Sequence, residues 1–480
     1  MSADSQPLAF VVMKFGGTSV ADAAAITRLI DIVRQTRTTV DVPPVVVVSA
    51  TSKTTDQLLA LAGDACAGKT EVNPGVDRVL ERHLEIVHAL TTGDRRATLE
   101  TRIRRELEDL RAVLTAIAIL RESSPRSLDA VAAVGEIISS RIVAAAFEEA
   151  GVPAAWVDAR KALVTDEQHT AALPLVAETR AAVQRELLPH VVAGRVPVLG
   201  GFVGSTVSGA TTTLGRGGSD YSGALMGAAL HGLTTSDGAT IACREIQIWT
   251  DVDGMLTADP RVVDSPAVVE RLSFAEASEL AYFGAKVLHP STILPAVSAN
   301  IPVRILNSRR PGGEGTRITA ESSSGGRAVA ALACKRRVTV VQITSTRMLM
   351  AHGFLRRLFQ VFETYQTPVD VVTTSEVSVS VTVDDDRQLP DIVSALEQFA
   401  EVSVERDMAI VCAVGDSLTA DPRMAIRLLS ALEGIPLKMV SQAASRRNVT
   451  VVLSDRDVPT AMHRLHDAAF DTAARLGAGR

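Results

Sequence analysis

Two glycine-rich stretches carry most of the side chains that could do chemistry. Lys14-Phe15-Gly16-Gly17-Thr18-Ser19 closes the apolar run LAFVVMKF and precedes a helical pattern. Paired glycines let backbone approach a phosphate closely, and a helix start presents free N–H groups. Lys14 stands at the strand end, within reach of a transferring phosphoryl group. A Gly-Gly turn between strand and helix also has a purely structural use, so this stretch alone decides nothing. The second stretch, TTTLGRGGSDYSG from Thr211 to Gly223, is richer. Arg216 can fork onto a carboxylate. Gly217 and Gly218 allow close approach, Ser219 can cap the small-residue helix that follows, and Asp220 can orient Lys14 or a substrate ammonium. So polar a run at the mouth of a helix reads as a site for anions rather than as a flexible surface loop.

Three further motifs are weaker. Trp249-Thr250-Asp251-Val252-Asp253-Gly254 follows a strand, and Ala258-Asp259-Pro260-Arg261 comes soon after. Turn chemistry accounts for Asp253-Gly254 and Asp259-Pro260 as well as a nucleotide does. In Phe283-Gly284-Ala285-Lys286-Val287-Leu288-His289-Pro290, Lys286 can meet a phosphate or simply face water. A competing string, Gly63-Asp-Ala-Cys-Ala-Gly68-Lys69-Thr70, matches a P-loop in letters. That motif needs a strand before it and a helix after it. Here a helical pattern precedes it, and TEVNPGVD, with Pro74, is expected to begin no helix. Gly68 reads as a helix C-cap.

The elements that must position these residues alternate strand and helix up to about residue 310. LAFVVMKF, PVVVVSA ending at Ala50, VPVLGGF ending at Phe202, EIQIWT and IPVRILN are buried strands. Helices are expected around Asp56–Ala65, from Asp77 to Leu120, from Leu128 to Ala150 and from Ser219. This is an α/β domain with a largely parallel sheet, over residues 1–310. Residues 311–336, rich in Gly, Ser and Pro, read as a linker. Beyond it two units of similar pattern follow, 337–407 and 408–480, each reading βαββα. The tandem repeat predicts two small split-βαβ domains.

Composition narrows the function classes. The chain has 480 residues, 46% hydrophobic and 22% charged, with net charge −6 and 3% aromatics. Without a basic run or an aromatic ladder, nucleic acid and membrane surfaces are poor partners. Four scattered cysteines without a CxxC pair argue against zinc and dithiol chemistry. The N-terminus lacks a basic n-region and an apolar h-region, which predicts a cytoplasmic protein.

Taken in order, KFGGTSVAD, SA-x4-TD, GE, GGFVGS, TTTLGRGGSDYSG, WTDVDG, TADPR and FGAKVLHP resemble the motifs of aspartate kinases. The tandem repeat resembles the paired ACT domains of that family, and MLMAHGFL with VDVVTTSEVSVS resembles its lysine-sensitive class. The resemblance covers nearly the whole chain. It implies an amino-acid-kinase (carbamate-kinase-like) three-layer α/β domain followed by two ACT-like domains. It implies phosphorylation of the L-aspartate side chain by ATP with Mg2+, opening the biosynthesis of lysine, threonine and methionine. Lys14 then matches the phosphate-stabilising lysine and Asp220 the acidic residue that organises it. Thr55, Glu136 and Arg216 match aspartate-holding positions, with Phe202 and Ser219 beside them. Gly16, Gly17, Thr250, Asp251, Arg261 and Lys286 match nucleotide-side positions. Met348, Gly353, Phe354, Leu355, Asp370, Ser375 and Glu376 match effector positions, with L-lysine as the implied inhibitor and a homodimer or dimer of dimers as the implied assembly. Three departures stand out. Val134 precedes Gly135-Glu136 where His or Tyr is usual, Leu256 replaces a frequent Tyr, and TTSDGATIAC (Thr234–Cys243) is an insertion expected to lengthen a loop near the nucleotide.

The chemistry needs no base, because an aspartate carboxylate of ordinary pKa about 3.9 is already ionised at neutral pH. The task is to bring two anions together in line and neutralise the transferring group. Rival readings are a kinase for another amino acid, a catalytically dead amino-acid sensor, and a fusion with homoserine dehydrogenase. Glu136, suited to an α-ammonium, speaks against the first. The retained Lys14, Arg216 and Asp220 speak against the second. These 480 residues leave no room after the second ACT-like unit for a Rossmann domain.

Overall fold

The computed structural model describes residues 6–69, 72–284, 290–321, 327–345, 352–418, 421–442 and 446–470. Packing divides the chain into two units, one of residues 1–254 and 288–320, the other of 255–287 and 321–480. Segment 255–287, which the expected boundary at 310 assigns to the first half, packs with the second.

The first unit is built on a sheet in which Ala154–Trp156, Val196–Gly200, Val45–Val48, Leu8–Phe15, Ile241–Thr250, Val303–Asn307 and Thr316–Thr319 lie side by side in that order. All neighbours are parallel except the last pair. The central strand Leu8–Phe15 shows why the sequence builds three layers. Its side chains alternate between faces. Val11, Met13 and Phe15 enter one core with Ile26, Leu29, Val134 and Ile138 of two helices. On the other face Lys14 lies against helix Gly218–Leu230, where a Cβ on Gly223 would come within 3.2 Å of the Lys14 Cβ. A strand buried on both faces has to read as a continuous apolar run, which it does up to Lys14.

Helix Ala23–Arg37 starts where Asp22 accepts a hydrogen bond from Ala25 N at 2.8 Å. Helix Pro125–Glu149 is apolar enough to cross a membrane, yet 83% of its most apolar window is buried against the fold. The segment expected as one helical run from Asp77 to Leu120 is two helices, Val72–Leu90 and Gly93–Leu120. Pro74 does not prevent the first. It sits within the first turn, where no intrahelical N–H is missed.

Two other expectations change. The insertion at Thr234–Cys243 forms a tight reversal, with Thr235 N bonded to Ala239 O at 2.8 Å, and feeds the start of strand Ile241–Thr250. Leu8 pairs with Ile241 and Phe15 with Trp249. The insertion therefore lies at the opposite end of the sheet from Lys14 and Thr250, not beside the residues expected to contact nucleotide. The expected linker 311–336 carries strand Thr316–Thr319, antiparallel to Val303–Asn307, and the beginning of strand Ala331–Thr344.

The second unit contains the tandem repeat. Its sheet runs Val372–Thr374, Ser378–Val383, Ala331–Thr344, Glu401–Val414, Asn448–Ser454, Leu437–Gln442. The two long central strands, Ala331–Thr344 and Glu401–Val414, pair antiparallel and run through both halves, with Val341 and Ile343 in one core and Leu332, Ala409 and Val411 in the other. Each repeat has its own core. Leu358, Phe362, Ile392 and Leu396 cover one half of the sheet, and Leu428, Met462 and Leu465 the other. Helix Phe274–Tyr282 opens with a Ser273/Glu276 capping box, and the Glu276 carboxylate also accepts from Asp416 N at 2.8 Å.

Candidate active site

The site forms where the parallel strands of the first unit end. A cavity of about 350 Å3 is lined by Lys14, Gly17, the loop 49–51, Lys53, Thr55, Asp56, Glu136, Phe202, Gly215 and residues 217–220. Lys14, Thr55, Glu136, Phe202, Ser219 and Asp220, singled out from five separated motifs, thus share one space.

Lys14 and Asp220 form an ion pair of 2.6 Å, their side chains only 9% and 16% exposed. The pair depends on small residues around it. A Cβ on Gly218 would fall 2.6 Å from the Phe202 ring, and Gly217 has φ +76. The loop needs glycine at both places, one for space and one for the left-handed backbone. Phe202 itself has φ +67, an unfavourable conformation held by Ser222 Oγ accepting from Phe202 N at 2.9 Å. Such strain is characteristic of ligand-handling positions.

Glu136 is buried on helix Pro125–Glu149, and its Oε2 has no hydrogen-bond partner. Burial pushes its carboxyl up to about 8, against the lowering effect of a backbone hydrogen bond from Ala50 and of the Lys14 charge. An orphaned buried carboxyl facing a cavity is suited to receive a ligand ammonium.

Several positioning residues carry no signal in the sequence. His83 is fully buried. Its Nδ1 lies 2.6 Å from Val79 O and so donates, which leaves Nε2 to accept from the Thr51 hydroxyl at 3.0 Å. Thr51 in turn accepts from Thr54 at 2.6 Å. Burial lowers the His83 pKa to about 4, so this ring stays neutral and the order of donors is fixed. Asp129, also buried, receives Thr213 Oγ1 at 2.5 Å, Thr170 N at 3.0 Å and His169 Nδ1 at 2.6 Å. It ties strand Thr211–Thr213, and hence the loop carrying Arg216, to helix Pro125–Glu149.

Other expected residues lie apart from the cavity. Arg216 is exposed and outside the lining. Gly16 and Thr250 adjoin the end of the sheet that carries Lys14, with Gly16 N bonded to Trp249 O at 3.0 Å, and Asp251 follows, exposed. Arg261, in the second unit, is exposed and paired with Asp259 at 2.6 Å. Lys286 and Met348 lie outside the described residues. Gly353 has φ +85 and precedes helix Phe354–Thr364. Leu355 is exposed, and Phe354 packs edge-on against Phe399. Ser375 and Glu376 occupy the turn before strand Ser378–Val383, where Ser375 Oγ meets Ser378 Oγ at 2.7 Å. The Asp370 carboxylate is already engaged, by Lys335 at 2.9 Å and by the Tyr282 hydroxyl at 3.1 Å. The P-loop lookalike is no phosphate site. Gly63 lies inside helix Thr54–Cys66, Gly68 follows its end with φ +71, and Lys69 pairs with Asp64 at 2.7 Å.

A parallel sheet ending in glycine loops around a lysine–aspartate pair, ahead of a βαββα repeat, defines an amino acid kinase with a regulatory half. Residues 9–307 match the amino acid kinase family and residues 411–469 an ACT domain. The chain is 38% identical to aspartokinase 3, chloroplastic, of Arabidopsis thaliana, over 96% of this chain and 82% of that one. It is 34% identical to the lysine-sensitive aspartokinase 3 of Escherichia coli, over 96% and 99%. It matches the crystal structure of E. coli aspartokinase III in complex with aspartate and ADP with a TM-score of 0.80 at 33% identity, covering 96% of this chain and all of the other. The chain belongs to the aspartokinases.

Proposed function

We propose that this enzyme transfers the γ-phosphoryl group of ATP to the side-chain carboxylate of L-aspartate, giving 4-phospho-L-aspartate and ADP. The observation that carries the reading is the convergence of the Lys14–Asp220 pair with Glu136, Thr55 and Ser219 on one cavity. A carboxylate oxygen attacks the γ-phosphorus, the bond from that phosphorus to the β-phosphate bridging oxygen breaks, and ADP leaves with the electron pair. No proton has to move. Asp220 aims the Lys14 ammonium, which neutralises the equatorial oxygens as charge spreads over them. Glu136 receives the α-ammonium of aspartate, Thr55 and Ser219 offer hydroxyls, and Arg216 folds over the α-carboxylate. The nucleotide is held by Gly16, Gly17, Thr250 and Asp251 of the first unit.

Mg2+ bound to the nucleotide phosphates supplies further charge neutralisation. Among the described residues no group of three or more His, Cys, Asp or Glu side chains converges into a metal cage.

The regulatory reading is that L-lysine inhibits through the first ACT-like unit, with Gly353, Asp370, Ser375 and Glu376 as contacts, in a cytoplasmic homodimer or dimer of dimers. The name of the lysine-sensitive relative supports it. Lysine would compete with Lys335 and Tyr282 for Asp370, and so act on helix Phe274–Tyr282. The substrate assignment is tested by coupled ADP release with L-aspartate, L-glutamate and N-acetyl-L-aspartate. Turnover is expected with L-aspartate alone. Equal rates with the acetylated compound would remove the role given to Glu136.

A further inference from the structure

We propose that Lys53 is a second substrate-contacting cation, which binds the anionic side chain of aspartate at the mouth of the pocket. The inference rests on the aspartate kinase reading and adds a residue to it.

Charge is the first ground. The charged residues lining the cavity are Lys14, Lys53, Asp56, Glu136 and Asp220. Lys14 is neutralised by Asp220 at 2.6 Å. Among the described residues Lys53 has no ion-pair partner, so it is the lining cation left for an incoming anion.

The backbone is the second ground. Lys53 has φ +64, in the left-handed region. A residue with a Cβ is disfavoured there, and glycine would not be. Lys53 is also the N-cap of helix Thr54–Cys66, with no side-chain cap bond. A cation at a helix N-terminus opposes the helix dipole, and a lysine cannot accept from the free N–H groups as Ser or Asp would. Local structure thus disfavours lysine on three counts, at a place that faces two substrates of like charge.

Rigidity is the third ground. Consecutive residues of helix Val72–Leu90 grip this loop from behind. Arg82 donates to Ser52 O at 2.8 Å, and His83 accepts from Thr51 at 3.0 Å. Lys53 is presented from a fixed backbone, as preorganised charge requires.

The experiment compares Lys53→Gly, Lys53→Met and Lys53→Arg in the full-length enzyme. For each, kcat and KM for aspartate and ATP are measured at low and high salt, together with the melting midpoint. Lys53→Gly is expected to melt no lower than wild type, yet to lose about tenfold in kcat/KM for aspartate, as loss of a charge at a binding rim does. Lys53→Met should lose as much, with a flatter salt dependence, while KM for ATP stays within about twofold. Lys53→Arg should keep most activity. Lys53→Gly with wild-type kcat/KM, or an equal rise in KM for ATP, overturns the proposal. A wild-type enzyme that does not phosphorylate aspartate would overturn the underlying reading instead.

Discussion

Binding of aspartate should expel a proton from Glu136. In the unliganded protein burial holds this carboxyl at a pKa of about 8, so at pH 7 it is roughly 90% protonated. An α-ammonium beside it favours the ionised form, and the amine of aspartate is already protonated at that pH. Binding at pH 7 should therefore release ~0.9 proton, falling to ~0.1 by pH 9. Titration calorimetry in buffers of different ionisation enthalpy reads this number directly. Stability follows the same linkage. The folded pKa lies above the unfolded 4.5, so the contribution of Glu136 is fully present below 4.5 and is lost as pH rises through about 8. The difference sets an upper limit of about 5 kcal/mol. The unliganded enzyme should lose melting temperature between pH 6 and pH 9, and saturating aspartate should flatten that slope. Glu136→Gln should flatten it too, while abolishing proton release and weakening aspartate binding. Aspartate binding without buffer dependence at pH 7, or Glu136→Gln binding aspartate like wild type, would refute the role assigned to Glu136.

Lys14→Ala should fold and lose about 10²–10³ in kcat, the usual cost of removing one preorganised donor. It also strands the half-buried Asp220 charge, so the melting point should fall as well, and Lys14→Ala/Asp220→Asn should recover stability without activity. Arg216→Lys should raise KM for aspartate far more than KM for ATP, because the charge is kept and the two-pronged geometry lost. Equal effects in steady-state kinetics would place Arg216 at the nucleotide. Glu376→Ala should leave uninhibited activity near normal and shift lysine inhibition to higher concentration, within the roughly 5–150-fold range of typical allosteric coupling. Asp370→Ala should do the same and also release the Tyr282 hydroxyl, while Lys335 keeps Asp384 at 2.8 Å. Lysine titrations with threonine as control decide both.

Much of this was legible in the sequence because it is local. The strand–glycine–helix turns at Lys14 and Arg216 announce themselves by residue type, and the βαββα repeat by its pattern. Lys14 sits at a strand end of the parallel sheet, whereas Asp220 follows strand Thr211–Thr213 of a separate three-stranded sheet and meets Lys14 from helix Gly218–Leu230, which packs on the parallel sheet. The remainder depends on contacts between distant residues. Nothing in RHLEI marks His83 as the partner of Thr51, 32 positions earlier, and a buried histidine on a helix face is usually only core. Asp129 looks like an ordinary helical charge until Thr213 and His169 close on it. Helix Val72–Leu90 starts ahead of the expected Asp77 because Pro74 reads as a breaker, although the first turn tolerates it. The left-handed backbone at Lys53 and Phe202 is invisible where the residue is not glycine.

The central claim is that this chain makes an acyl phosphate on aspartate, and hydroxylamine trapping tests it most directly. Purified enzyme with MgATP, L-aspartate and hydroxylamine should form aspartyl hydroxamate in step with ADP. None should form without aspartate, and Lys14→Ala should form almost none. ADP release without hydroxamate, or hydroxamate made equally well by the Lys14→Ala variant, would contradict the account.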